Sequence, residues 1–145
     1  MKRQLNLACG HVIMPQEEGW VNLDRLDGPG IDVTATVPPL PFKDESFDHI
    51  LCSHFLEHLP AGDVTIHLMN ECHRILKPGG TMHVEVPYWN SEAFVQDPTH
   101  VQPWNCDKFR YFTAEFTYLR YGIEIWTSAK AWQKSNWEVA ADLVK

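Results

Sequence analysis

The run Leu5-Asn6-Leu7-Ala8-Cys9-Gly10 constrains this chain more than any other stretch: it is largely apolar, carries no 3.6-residue repeat and stops on a glycine. Such a run, bounded by a breaker, predicts a strand buried in a covered sheet and ending in a tight turn. Trp20-Val21-Asn22-Leu23-Asp24 is a second run of the same kind, and it ends in a carboxylate. A glycine turn after one strand and an acid at the end of the next is the arrangement of nucleoside cofactor sites. There the bare glycine lets a ligand approach the main chain, and the carboxylate accepts ribose hydroxyls.

Between these runs, His11 to Gly19 holds Pro15 and two glutamates with no helical stripe, so a loop is expected. Asp27-Gly28-Pro29-Gly30 is turn chemistry, and Ile31-Asp32-Val33 is expected as a short third strand. Phe47 to Cys52 predicts a buried fourth strand after the prolines at 38, 39 and 41. Asp63 to Leu76 is the clearest helix: Val64, Leu68, Cys72, Ile75 and Leu76 share a face, Asp63 can cap, and Lys77-Pro78-Gly79-Gly80 stops it. Thr81 to Val86 alternates as a strand, ended by Pro87. Ser91 to Asp107 is a long aperiodic loop rich in Pro, Trp and His, a kind of segment that usually carries function. Thr113 to Tyr121 is expected as a helix ended by Gly122. Ile123 to Trp126 and Trp137 to Val144 are expected as strands joined by a turn at Lys134-Ser135-Asn136, with Val139, Ala141 and Leu143 on one face.

At 145 residues the chain has room for one core, so residues 1–145 are expected to form a single domain. A net charge of -7, with no basic run denser than Lys108 to Arg110, argues against gripping nucleic acid, which relies on clustered cations. No stretch approaches the ~18 apolar residues of a membrane span. The apolar segment behind Met1-Lys2-Arg3 is too short for a signal peptide. Cys9, Cys52 and Cys72 lie in apolar runs and Cys106 in a loop, without short paired spacing. They are expected to be reduced thiols in a cytoplasmic protein.

Leu5 to Gly10, Gly19 to Asp24, Leu40-Pro41-Phe42 with Ser46-Phe47-Asp48, Ser53-His54 with Leu56-Glu57-His58, and Arg74 to Gly80 together resemble, in order and spacing, the small members of the class I S-adenosylmethionine-dependent methyltransferases. The resemblance runs from Leu5 to Pro87. It implies an α/β fold, a doubly wound, mostly parallel Rossmann-like sheet with an antiparallel strand pair at the C-terminal end. It also implies S-adenosylmethionine as cofactor, held by Ala8, Cys9, Gly10, Asp24, Thr36, Val37, Ser53 and His54. Ala8 and His11 stand where the family loop carries glycines, and Thr36 where relatives carry an acid for the adenine. Val37 is expected to offer its backbone N–H to the purine.

The implied activity is methyl transfer to an unidentified acceptor, a small molecule rather than a macromolecule, with no nucleic acid or membrane partner. Oligomeric state is not legible. His54, His100 and Tyr88 are the candidate catalytic residues. Tyr88, Trp89, Asp97, His100 and Trp104 lie in or just before the long loop, expected over the cofactor edge. Leu56 is expected to pack, and Glu57 and His58 to hydrogen-bond loop backbone. Three other readings stay open: a module that holds the cofactor or S-adenosylhomocysteine without turnover, a structural or interaction role without any ligand, and a zinc peptidase, because His54-Phe55-Leu56-Glu57-His58 spells H-x-x-E-H. No metal ligand is assigned, since that motif leaves a strand directly and meets Pro60.

Overall fold

The computed structural model describes residues 1–115 and 122–145. Seven strands form one sheet: β1 (Gln4–Leu7), β2 (Trp20–Asp24), β3 (Val33–Thr34), β4 (Phe47–Ser53), β5 (Leu76–Pro87), β6 (Ser128–Gln133) and β7 (Glu138–Val144), in spatial order β3-β2-β1-β4-β5-β7-β6. The pairings from β3 through β5 are parallel. β7 lies antiparallel between β5 and β6. The order reverses between β1 and β4, the switch point at which ligands of open parallel sheets bind.

Period-two alternation decides the faces. Leu5, Leu7, Leu23, Ile50, Cys52, Met82, Val84, Val139, Ala141 and Leu143 are buried in one continuous core. The long helix α1 (Asp63–Ile75) buries Thr65, Leu68, Met69, Cys72 and Ile75. Val64, expected on that face, is only half-buried, and the adjacent Thr65 is taken in because its hydroxyl donates to the Pro60 carbonyl at 2.9 Å. Gly62 is the residue before the helix, so Asp63 does not cap; it places its charge in the first turn, at the positive end of the helix dipole.

The opposite sheet face is polar. His49 Nδ1 lies 2.8 Å from Thr81 Oγ1, Ser53 donates to Glu85 at 3.0 Å, and His83 Nδ1 lies 2.6 Å from Asp142. On this face Asn6 and Asn22 replace a covering helix. Asn22 Oδ1 accepts from the Met14 N–H and from Asn6 Nδ2, both at 2.9 Å, and Asn22 Nδ2 donates to the Met14 carbonyl at 2.9 Å. Asn6 Nδ2 also donates to the Val12 carbonyl at 2.8 Å. Buried amides thus satisfy the backbone of a loop that forms no helix, as buried main chain requires. Within His11 to Gly19 the one regular piece is a 3-10 turn at Gln16–Glu18.

The proline-rich segment before β4 is fastened to α1. Arg74 donates to the carbonyls of Phe42 at 2.8 Å and Leu40 at 3.1 Å, while Glu71 accepts from the Leu40 N–H at 2.8 Å and from Arg74.

Several boundaries differ from expectation. The third strand is Val33–Thr34: Asp32 still donates its N–H to the Asn22 carbonyl at 2.8 Å, but its carboxylate, in place of a backbone carbonyl, takes the Asn22 N–H at 2.7 Å. The strand expected over Ile123 to Trp126 is at Ser128–Gln133: Trp126 makes a single bridge to Thr113 and buries its ring, while the ladder to β7 starts two residues later. The loop after β5 contains a short helix, α2 (Glu92–Val95), whose Ser91 cap accepts from the Phe94 N–H, and a 3-10 segment at Cys106–Phe112. Residues 116–121 of the expected helix Thr113 to Tyr121 lie outside the described residues. All four cysteines are free.

Candidate functional site

β1 and β2 end side by side, and their ends are joined by the residues singled out in the sequence. The Gly10 N–H donates to Asp24 Oδ2 at 2.9 Å, and the Leu26 N–H donates to Asp24 Oδ1 at 3.0 Å. Each carboxylate oxygen keeps a further lone pair. Gly10 has φ +54°, and a Cβ placed there would meet nothing within 4 Å, so the main chain borders open space. Ala8 also stands in the left-handed region, at φ 54°. Cys9 is buried, and burial first, then the Asp24 charge, pushes its thiol up to about 11. It stays protonated at neutral pH and is no nucleophile.

A cavity of about 540 Å³ opens beside this rim, lined by Ala8, Leu23, Asp24, Arg25, Ala35, Thr36, Val37, Phe55, His58, Leu59 and Thr99. That volume lies within the ~300–1,000 Å³ of small-molecule sites, and the mixture of apolar wall and a few convergent polar groups is theirs as well. Of the residues expected to hold a cofactor, Ala8, Asp24, Thr36 and Val37 line it, with Gly10 bonded to Asp24 at its edge.

Ser53 and His54 face a different group. Ser53 Oγ donates to Glu85, and Lys134 pairs with both Glu85 and Glu138. His54 Nε2 lies 3.0 Å from Glu138 and its Nδ1 3.6 Å from Glu57. The facing Glu57 carboxylate, against the cost of burial and with help from Glu138, holds the His54 imidazole above its ordinary value. His54 adopts φ 53°, a conformation His tolerates better than most residues. Tyr88 bridges to Trp104 and donates its N–H to the Trp137 carbonyl at 2.8 Å, outside the cavity wall. His100 is tucked under α2, its Nδ1 3.0 Å from the Phe94 carbonyl. The loop between them is pinned by a turn in which Asp97 Oδ1 accepts from the Thr99 N–H at 2.8 Å.

Glu57 corrects an expectation. Among the described residues its carboxylate hydrogen-bonds no loop backbone; the link to the loop is its main-chain carbonyl, which accepts from Val101 at 2.9 Å and Gln102 at 3.0 Å. The carboxylate is fully buried, turned toward histidines instead. Leu56–His58 is a single 3-10 turn, which does not supply the helix that a peptidase H-x-x-E-H needs to set two histidines on one face.

Phe55, Leu59, His58 and Thr99 were missed as cavity residues. The available signal was their place directly after the β4 end, on the same sheet edge as Gly10 and Asp24; Thr99, distant in sequence, gave none.

The methyltransferase domain family matches residues 17–84. Over 43 residues the chain is 37% identical to "Probable methyltransferase ltbC" of Aspergillus luteorubrus, a match covering 30% of this chain and 15% of that protein. The chain therefore spans a small part of the curated relative's length. A SAM-dependent methyltransferase structure from Archaeoglobus fulgidus superposes with a TM-score of 0.72 at 18% identity, over 99% of this chain and 86% of that one. The 1,6-didemethyltoxoflavin-N1-methyltransferase of Burkholderia thailandensis, solved with its substrate and S-adenosylhomocysteine, gives 0.65 at 14% identity, over 99% of this chain and 71% of that one.

The matched segment is that of a methyltransferase domain and the fold is that of a SAM-dependent methyltransferase structure, in keeping with the resemblance of the sequence to the class I S-adenosylmethionine-dependent methyltransferases. S-adenosylmethionine is the cofactor of that class. The residues present fit such a group: a carboxylate with free lone pairs, unhindered main chain at Gly10 and an adjoining cavity of suitable size. Among the described residues no helix is long and apolar enough to cross a membrane.

Proposed function

We propose that this chain binds S-adenosylmethionine in the cavity between the ends of β1 and β2 and transfers its methyl group to a small-molecule acceptor. The observation that carries the reading is the meeting of Gly10 and Asp24 at the cavity rim. Asp24 accepts ribose hydroxyls with the lone pairs that the two backbone N–H groups leave free, and Gly10 gives the ligand access to main chain. Thr36 offers a hydroxyl and Val37 an N–H to the purine edge. Phe55, Leu59 and Ala35 supply the apolar wall that excludes water, and His58 and Thr99 its polar end.

The cofactor supplies a methyl already activated on a sulfonium, so the protein needs alignment more than acid or base chemistry. Holding the reacting atoms about 3 Å apart and in line is worth orders of magnitude by itself. His54, His100 and Tyr88 are proposed as contacts around the acceptor, reached through the His58 end of the cavity. A small acceptor is favoured by the cavity's volume and by the 1,6-didemethyltoxoflavin bound in the Burkholderia enzyme.

Calorimetric titration with S-adenosylhomocysteine tests the reading. The expected result is one site, weakened by about 1–3 kcal/mol in Asp24→Ala, the worth of hydrogen bonds to a charged group. No heat and no thermal shift at millimolar ligand would remove it.

A further inference from the structure

Beside the end of β4, the fully buried carboxylate of Glu57 has no hydrogen-bond partner on either oxygen among the described residues. Three imidazoles surround Oε1: His54 Nδ1 at 3.6 Å, His58 Nε2 at 3.9 Å and His100 Nε2 at 3.9 Å. These separations are too long for hydrogen bonds. An isolated buried carboxylate is costly, and the group needs positive charge from somewhere.

Hydrogen bookkeeping shows what the two farther rings, His58 and His100, present. A carbonyl only accepts, so His100 Nδ1 donates its hydrogen to Phe94 at 3.0 Å. Thr99 has one hydroxyl hydrogen and gives it to Asp97 Oδ1 at 2.6 Å; toward His58 Nδ1, at 3.0 Å, it accepts. Both rings therefore carry their hydrogen on Nδ1, and in the neutral form each turns a bare Nε2 lone pair toward Glu57. Asp97 Oδ2, 3.5 Å from His100 Nε2, adds a second anionic oxygen. Imidazoles held through Nδ1–H by a carbonyl or an oxygen, with Nε2 free and converging on a carboxylate, form the donor arrangement of metal sites.

The neighbouring group provides a contrast. His54, Glu85 and Glu138 also bring donor atoms within 4.8 Å of one another, but Lys134 already pairs with both carboxylates there. Among the described residues no lysine or arginine pairs with Glu57.

We propose that Glu57, His58 and His100 form a binding site for a divalent first-row transition ion, against the expectation of no metal drawn from the sequence. Their donor atoms lie within 4.8 Å of one another. The edge of a tetrahedron with arms of about 2.1 Å is about 3.4 Å, so the 3.9 Å separations close by about half an ångström, within reach of small side-chain rotations. Two imidazoles and one carboxylate suit zinc and leave a coordination position open. His54, tied at Nε2 to Glu138, brings its Nδ1 to 3.6 Å from the same carboxylate oxygen. This site stands on the imidazole geometry and not on the cofactor, although His58 also lines the cavity assigned to the cofactor.

The test is titration of the chelator-stripped full chain with zinc ion against a chromophoric chelator, and with cobalt(II) followed by visible absorption. The expected result is one equivalent of zinc, visible cobalt bands of a low-symmetry site, and a loss of at least tenfold in affinity in both His58→Ala and His100→Ala, with His83→Ala unchanged. Thr99→Val, which removes the partner of His58 Nδ1 but no ligand, is expected to weaken zinc about tenfold. It also serves where a histidine variant fails to fold by circular dichroism. Zinc binding by the wild type no better than by His58→Ala/His100→Ala, or cobalt without visible bands, would overturn the site. S-adenosylhomocysteine titrated into the wild type with and without zinc keeps the two readings apart: its binding is expected in both, and loss of the zinc site with that binding intact removes only the metal reading.

Discussion

Gly10 follows β1 and Asp24 ends β2, yet the N–H of one donates to the carboxylate of the other at 2.9 Å. The bond fixes the turn after β1 before any ligand arrives. A ligand then meets a pre-formed rim, and less ordering cost is charged to binding.

The same turn holds the left-handed Ala8, at φ 54°, where a side chain is strained by about 1 kcal/mol. Ala8→Gly is therefore expected to stabilise the fold, by at most about 1 kcal/mol because glycine also loosens the unfolded chain. Gly10→Ala is expected to lose a similar amount from backbone strain alone, since nothing lies within 4 Å of the added Cβ. Urea unfolding of the two variants checks both signs; a stable Gly10→Ala would show the turn to be differently built.

Much of this was legible in the chain, and the limits have physical causes. β1, β2, β4 and α1 come from long-range burial written as unbroken apolar runs or a 3.6-residue stripe. Asp24 and Gly10 are readable because their roles belong to the backbone and to one charge. The strand at Ser128–Gln133 was not, because an edge strand with exposed Ser128, Lys130 and Trp132 carries no apolar signal, while the apolar Ile123 and Ile125 beside it do. Nor was the meeting of Glu57 with His100, which depends on how a long loop folds back over the β4 end.

Asn22 gives a second prediction. Fully buried, it bonds the backbone of Met14 in both directions and joins Asn6. Asn22→Leu leaves the Met14 N–H and carbonyl and one Asn6 hydrogen without that partner. A loss of about 2–4 kcal/mol is expected in urea unfolding, with faster hydrogen exchange at Val12 and Met14. A loss under half a kcal/mol would mean water replaces the amide freely.

Glu71 ties the acid limb of stability to the proline-rich segment. The Arg74 guanidinium beside it, against burial and with the Leu40 N–H, holds its carboxyl below the usual range. A depressed carboxyl contributes stability that is present above its unfolded value near 4.3 and lost as pH falls through the folded one. Glu71→Gln is therefore expected to destabilise at pH 7, and the gap to wild type to close as the pH is lowered below about 4. Paired urea melts at the two pH values measure it, and a gap independent of pH would assign the effect to shape alone.

Lys108 has the opposite sign. Its ammonium sits 4.5 Å from the centre of the buried Trp104 ring and donates to the Pro103 carbonyl at 2.9 Å, yet burial pulls it down to about 8. The unfolded chain, titrating near 10.4, takes up this proton more readily than the native one. Below pH 8 both states are protonated and the native state bears the full cost of the half-buried charge. Between about 8 and 10.5 the unfolded state alone stays charged, and the cost to the native state is released. Wild type is therefore expected to gain stability relative to Lys108→Met as pH rises through that window, whatever the offset left by the lost Pro103 bond. Melting both proteins at pH 7.0 and pH 10 reads the change directly; a constant difference would mean that solvent at the exposed half of the side chain screens the ammonium fully.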